Sequence, residues 1–146
     1  MSKKKKVVYF GGAFDLINWG HIKALEMAKA QGDYLIVGLN SNELIKQYKK
    51  REAVLPWYQK AYILRHIRFV DKVVKVENFS PMSLLKKYNV DVYCLGDEWE
   101  TTKEKEIRYM ASKKGAVKFL PRFRGTVSTS QIKKILLDEA KDNMLY

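Results

Sequence analysis

One cysteine, Cys94, occurs in 146 residues, so no disulfide can form within the chain, and a reducing cytoplasm is the expected setting. No apolar run approaches the roughly 20 residues of a membrane-spanning helix, and no membrane partner is expected. The start "MSKKKK" is followed only by "VVYF", which stops at Gly11, so no signal peptide is expected and these lysines read as a frayed end. Repeats, low-complexity segments and linkers are also missing, so residues 1–146 read as a single domain. Acids are scarce, 16 against 28 Lys and Arg, which leaves a net charge of +12. Phosphorylated small molecules or polyanions would balance that excess, and a lysine-rich solvated surface is the plain alternative. There is no nucleic-acid motif and no basic strand interleaved with aromatics, so nucleic acid is not the expected partner. The apolar share, 47%, suits a packed core rather than a disordered chain.

Short apolar runs alternate with amphipathic ones. Strands are expected over 6–10, 34–39, 71–76, 91–96 and 117–121. Helices are expected over 21–31, 40–48, 58–67, 80–88, 101–115 and 128–141. Gly32 stops the first helix; Ser80 as N-cap and Pro81 at the first helical position start the fourth. Strands alternating with helices give parallel βαβ units. The expected fold is therefore α/β: a doubly wound, Rossmann-like sheet of five parallel strands with helices on both faces. Ligands of such folds bind beyond the C-terminal ends of the strands. The loops that follow the strands are the ones to inspect.

The first of these loops, "FGGAFDLINWGH", places glycines where the chain leaves a strand and His21 where a helix begins. Glycines let backbone N–H groups approach an anion, and the positive end of a helix favours phosphate. A histidine there can donate a hydrogen bond to a phosphate oxygen. The plain alternative is a tight turn followed by an ordinary helix residue. The segment is not G-x-G-x-x-G, so the dinucleotide fingerprint is absent.

Four segments taken together resemble the cytidylyltransferase family, in its glycerol-3-phosphate branch. "FDLINWGH" is similar to the family's G-x-F-D-x-x-H-x-G-H. "RFVDKVV" (68–74) is similar to R-Y-V-D-x-V, and "GDEWE" (96–100) to an acidic G-D-D-W segment. "RFRGTVSTSQIKKI" (122–135) is similar to R-x-x-G-x-S-T-T-x-I. The resemblance implies transfer of a nucleotidyl group from CTP to a small phosphorylated acceptor, with release of pyrophosphate. Sister families use ATP, so an adenylyltransferase is an alternative, and so is a non-catalytic nucleotide-binding module. It further implies a Mg²⁺ ion held mostly by the triphosphate, and a homodimer with residues 68–73 near its interface.

Site residues follow from the same resemblance. His21 would contact the triphosphate and the charge developing on the α-phosphate. Gly12, Ala13 and Phe14 would form the nucleotide-cradling turn, and Gly20 would permit close approach of the ligand. Asp15 fits the motif but reads as structural, because an acid beside a triphosphate repels it. Lys50, flanked by Lys49 and Arg51, would grip phosphates of nucleotide and acceptor. Lys60, which would bind the acceptor, stands where the family has arginine and loses the bidentate fork. Gly96, Asp97 and Glu98 match positions that contact base or ribose or help hold a metal, and Trp99 an aromatic near the acceptor. Ser128 and Thr129 would receive phosphate oxygens at a helix start, and Ser128 is also a good N-cap. One extra residue separates Arg122 from the Ser-Thr pair, so either Arg122 or Arg124 is the functional arginine.

The largest departure is Asn18, where the family has histidine. Its amide can stand in if the histidine supplies a neutral donor, but not if it supplies a charge. Asn18 as a simple N-cap is the plain alternative, and a site that binds nucleotide without reacting is the third.

Overall fold

A computed structural model of the chain describes residues 4–96, 102–121 and 129–144. Strand and helix alternate as the apolar runs predict: β1 (Val7–Gly12), α1 (Trp19–Lys29), β2 (Tyr34–Asn40), α2 (Asn42–Lys49), α3 (Trp57–Arg65), β3 (Lys72–Val76), α4 (Met82–Lys87), β4 (Val92–Gly96), α5 (Glu104–Ser112), β5 (Ala116–Leu120) and α6 (Thr129–Met144). The strands form one parallel sheet in the order β3-β2-β1-β4-β5. The winding reverses between β1 and β4, which is where such sheets open a crevice.

The central strands are apolar on both sides, as strands covered on both faces must be. On one face Val8, Val37, Leu39 and Cys94 meet Leu25 and Ala28 of α1 and Ala61 and Leu64 of α3. On the other, Tyr9, Ile36, Tyr93 and Leu95 meet Leu85 of α4 and Met110 of α5. Gly38 is required by Tyr9: a Cβ there would stand 1.9 Å from the Tyr9 hydroxyl, which occupies that space. By contrast α6 stands largely clear of the sheet, with Ile135, Leu136 and Leu137 more than half exposed.

Aspartates set the register. Asp33, Asp71 and Asp91 each stand one residue before a strand. Each carboxylate accepts a backbone N–H from the neighbouring segment: Lys6 to Asp33 at 2.8 Å, Leu35 to Asp71 at 2.8 Å and Val7 to Asp91 at 2.9 Å. In return the three aspartate N–H groups donate to the carbonyls of Lys6, Leu35 and Val7 at 2.8, 3.0 and 2.8 Å. Each pair locks two strands at their first rung. Removing one carboxylate strands a half-buried N–H, so Asp91→Ala is expected to cost about 1.5–3 kcal/mol, read as a lower urea midpoint with unchanged m-value.

The starts of α1, α2, α4 and α5 differ from expectation by two or three residues, and two of these have a clear cause. α1 begins at Trp19 rather than His21, because Asn18 takes the N-cap and its side chain accepts from the Gly20 N–H. α4 begins at Met82, with Pro81 rather than Ser80 as its cap residue. The Ser80 hydroxyl accepts from Met82 N–H at 3.3 Å, but it also donates to buried Glu106 of α5. That long-range bond holds Ser80 away from a standard cap geometry.

Candidate active site

The turn after β1 carries the candidate site, and its backbone is strained. Phe14 and Leu16 have φ of 49° and 50°, the left-handed region that non-glycine residues avoid. Gly12 precedes them because the Phe14 ring folds back: a Cβ on Gly12 would lie 3.0 Å from the ring. That ring is buried and meets Phe10 edge-on and the His21 imidazole at 5.4 Å. Phe14 therefore offers the turn a backbone and a floor, not a free side chain.

Asp15, between the strained residues, is the anchor. Its carboxylate accepts Val54 N–H at 2.9 Å and Leu55 N–H at 3.1 Å, and pairs with Lys133 of α6 at 3.0 Å. Burial works to raise its pKa, but the Val54 and Leu55 hydrogen bonds and Lys133 outweigh it and hold the carboxyl below the usual range. The expected structural role of Asp15 thus has a definite form: it ties the turn to the 53–55 loop and to α6.

Lys60 lies beneath the same turn and is fully buried. Its Nζ donates to Asn42 Oδ1 at 2.9 Å and approaches Ala13 O at 3.4 Å. Desolvation pushes its pKa down, Asp15 opposes, and Lys49 and Lys133 push it down further. As arranged, this ammonium supports the carbonyl side of the turn.

His21 is the third residue of α1, and its Nδ1 accepts the backbone N–H of Asn18 at 3.1 Å. This is a capping box with histidine in the place of the usual Glu or Gln. The bond fixes the tautomer: the imidazole proton sits on Nε2, the only nitrogen left to meet a ligand. The pKa is held below its ordinary 6.5, first by burial and then by the Lys49 charge, with Asp15 pulling the other way. At neutral pH His21 is therefore an uncharged donor. The unfolded chain takes up this proton near 6.5 and the folded chain resists it, so stability is full above 6.5 and falls as pH drops towards the lower folded value. Melting temperatures across that window are expected to drop less for His21→Gln.

Asn18 Oδ1 accepts Gly20 N–H at 3.0 Å, and its Nδ2 donates to Leu16 O at 3.2 Å. The N-cap reading is thus realised, and the amide also braces the strained Leu16. One of its two N–H bonds is used in this way, and the other remains as a donor.

Cations surround this turn. Lys49 acts on His21, Asp15 and Lys60, and its own pKa is pushed down by desolvation and then by Arg51 and Lys133. Arg51 reaches Ser130 on α6 at 3.3 Å. Lys49 and Lys50 are both exposed; Lys50 caps α2 in the left-handed conformation, φ 55°, and it is the Lys49 charge that acts on His21. Sequence reasoning named Lys49 and Arg51 only as flanking residues and missed Lys133. The signal for Lys133 was its place on the first turns of a helix starting at a phosphate-type Ser-Thr pair.

Gly96 ends β4 opposite the turn, paired to Leu120. Beside it, Lys103 donates to Phe79 O at 2.6 Å and sits 3.7 Å over the Phe79 ring, closing the end of β3 against α5. Asp97, Glu98, Trp99, Arg122, Arg124 and Ser128 lie outside the described residues, as does the side chain of Thr129. Among the described residues no three acidic, histidine or cysteine side chains group as a metal site. Burial pushes the Cys94 thiol up to about 12, with Lys118 opposing, so it stays protonated and is no nucleophile.

The arrangement can hold a polyanion: a helix start, several ammonium groups, a guanidinium and a neutral N–H donor meet with Asp15, whose charge is already paired. The family described as cytidylyltransferase-like matches residues 9–135. The chain is 37% identical over 131 residues to a glycerol-3-phosphate cytidylyltransferase of Bacillus subtilis (strain 168), covering 89% of this chain and 95% of that one. It is 39% identical over 99 residues to the bifunctional protein HldE of Campylobacter jejuni subsp. doylei, covering 67% of this chain and 22% of that one. A lipopolysaccharide core biosynthesis protein from Thermoplasma volcanium GSS1 shares the fold, with a TM-score of 0.67 at 19% identity over 82% of this chain and 97% of that one. The chain belongs to the cytidylyltransferase family and is an enzyme of the nucleotidyltransferase type.

Proposed function

We propose that this protein transfers CMP from CTP to a small phosphorylated acceptor of the glycerol 3-phosphate kind. An acceptor phosphate oxygen attacks the α-phosphorus of CTP, the bond to the bridging α–β oxygen breaks, and pyrophosphate leaves with that electron pair. The observation that carries the reading is the neutral His21 Nε2–H standing at the start of α1 within the field of Lys49. A neutral donor strengthens its hydrogen bond as charge grows on the α-phosphate, without drawing a proton from solvent. The lysines and Arg51 offset the triphosphate and the leaving pyrophosphate.

The remaining roles follow from placement. Gly12, Ala13 and Gly20 present backbone to the phosphates, while Asp15 and Lys60 hold the turn from beneath. Lys49, whose charge acts on His21, takes the nucleotide-phosphate role, and Lys50 reaches the acceptor. Gly96 with Asp97 and Glu98 borders the nucleoside, Trp99 the acceptor, and Arg122 or Arg124, Ser128 and Thr129 the leaving phosphates. Asp15 has its oxygens committed to backbone N–H groups and Lys133, which leaves it a poor magnesium ligand. Mg²⁺ would therefore arrive as part of the substrate, Mg·CTP, held by phosphate oxygens. The protein would work as a homodimer in the cytoplasm, with residues 68–73 near its interface.

Asn18 offers its free N–H to an α-phosphate oxygen. Asn18→Ala is expected to lose about 1 kcal/mol of helix capping and to slow turnover more than Asn18→His does. Equal turnover of Asn18→Ala and the parent would end the donor role. The reading as a whole is tested with CTP and ATP against phosphorylated glycerol, choline, ethanolamine and heptose, scored as pyrophosphate. CTP binding without release for any acceptor would leave a nucleotide-binding module in its place.

A further inference from the structure

At the end of the sheet opposite the site, where strands begin and helices finish, lysines converge. Lys4, Lys5 and Lys6 ahead of β1 and Lys113 and Lys114 after α5 line an open depression of about 340 Å³. Its acid, Asp91, is committed to the Val7 N–H. Lys113 is fixed by bonds of 2.7 Å to Asn89 Oδ1 and Val90 O, while Lys4, Lys5, Lys6 and Lys114 are exposed. Around the depression ammonium groups cover tyrosine rings: Lys5 over Tyr34 at 5.8 Å, Lys86 over Tyr109 at 5.5 Å, and Lys72 over Tyr88 at 5.4 Å. Lysines in last helical turns offset helix dipoles, which accounts for Lys86 and Lys113. It does not account for Lys4, Lys5, Lys6 or Lys72, which belong to strands and strand approaches.

We propose that this lysine face binds the phosphate headgroups of an anionic membrane surface. No helix among the described residues is long and apolar enough to cross a membrane, so the contact is electrostatic adhesion. Lysines clustered at one surface attract anionic lipid additively. A single-stranded nucleic acid is the poorer fit, because bases need open aromatic faces and these tyrosines carry ammonium groups over theirs. Parallel strands place the two ends of the sheet on opposite sides of the molecule. Adhesion through the strand starts would therefore leave the site at the strand ends open to solvent. This proposal does not depend on the reaction assigned above.

The test is sedimentation of the full chain with vesicles of phosphatidylcholine alone and with phosphatidylglycerol added. Binding is expected only to the anionic vesicles, to weaken as salt rises, and to fall about tenfold or more in the combined variant Lys4→Gln, Lys5→Gln, Lys6→Gln, Lys114→Gln. The variant is expected to melt with the parent; if it does not, the pair Lys4→Gln, Lys5→Gln is read instead and must still weaken binding. The proposal is overturned if anionic vesicles do not sediment the protein or hold these variants as well as the parent. Tighter binding to an RNA oligonucleotide, or binding of inorganic phosphate without vesicle binding, overturns it too.

Discussion

Replacing His21 by alanine is expected to lower kcat for pyrophosphate release by about 10²–10³-fold, the usual cost of losing one donor aimed at developing charge. In the proposed reaction His21 acts as such a donor. Its Nδ1 is occupied by the Asn18 N–H, and its lowered pKa keeps it neutral. A general base would need a free nitrogen lone pair, and a cation would need the proton that burial and Lys49 oppose. The loss should therefore fall on kcat more than on KM for CTP, since the bond strengthens only as the transition state forms. His21→Ala also removes half of a capping box, so about 1 kcal/mol of stability should go with it. His21→Asn separates these effects: a side-chain amide restores an N–H and should recover part of the rate. A variant with unchanged kcat would remove His21 from the reaction.

Asp15→Ala is expected to cost about 3–5 kcal/mol, the range for breaking a buried charge pair by removing one partner. The side chain is only 5% exposed, and its loss leaves Val54 N–H, Leu55 N–H and Lys133 without their acceptor. The strained backbone at Phe14 and Leu16 loses the anchor between them. Lys49 and Lys60 also lose the negative charge that opposes their mutual repulsion. Thermal and urea unfolding should both show the loss. Added CTP should recover part of it, because a bound polyanion supplies negative charge to the same ammonium groups. A loss below about 1 kcal/mol would mean that the turn is held by something other than Asp15.

The architecture was legible because it rests on local signals. Apolar runs such as "YLIVGL" and glycine stops such as Gly32 need no knowledge of distant contacts. Helix starts were less legible where a side chain is claimed from afar. Ser80 reads as a cap, yet Glu106 draws its hydroxyl away. The aspartates before β2, β3 and β4 were visible in "GDY", "VDK" and "VDV". Their meaning needs the neighbouring strand, which pattern alone does not supply.

Site chemistry split in the same way. The place of His21 at a helix start, the glycine turn and the structural role of Asp15 could be read from one segment. The choice between Lys49 and Lys50 could not, because it depends on which ammonium group the folded chain brings within the field of His21, and that is Lys49. Lys60 reads by sequence as an acceptor-binding cation at a family arginine position; the fold instead buries it fully against Asn42 and Ala13, which lie far from it along the chain. Lys133 joins the site only because α6 returns over the turn.

The most direct test of the central claim is to incubate the protein with Mg²⁺, CTP and glycerol 3-phosphate and measure pyrophosphate and the cytidylylated acceptor together. The account predicts equal amounts of both, from the parent and not from His21→Ala. Bound CTP with neither product, from this acceptor or any other phosphorylated one, would contradict it.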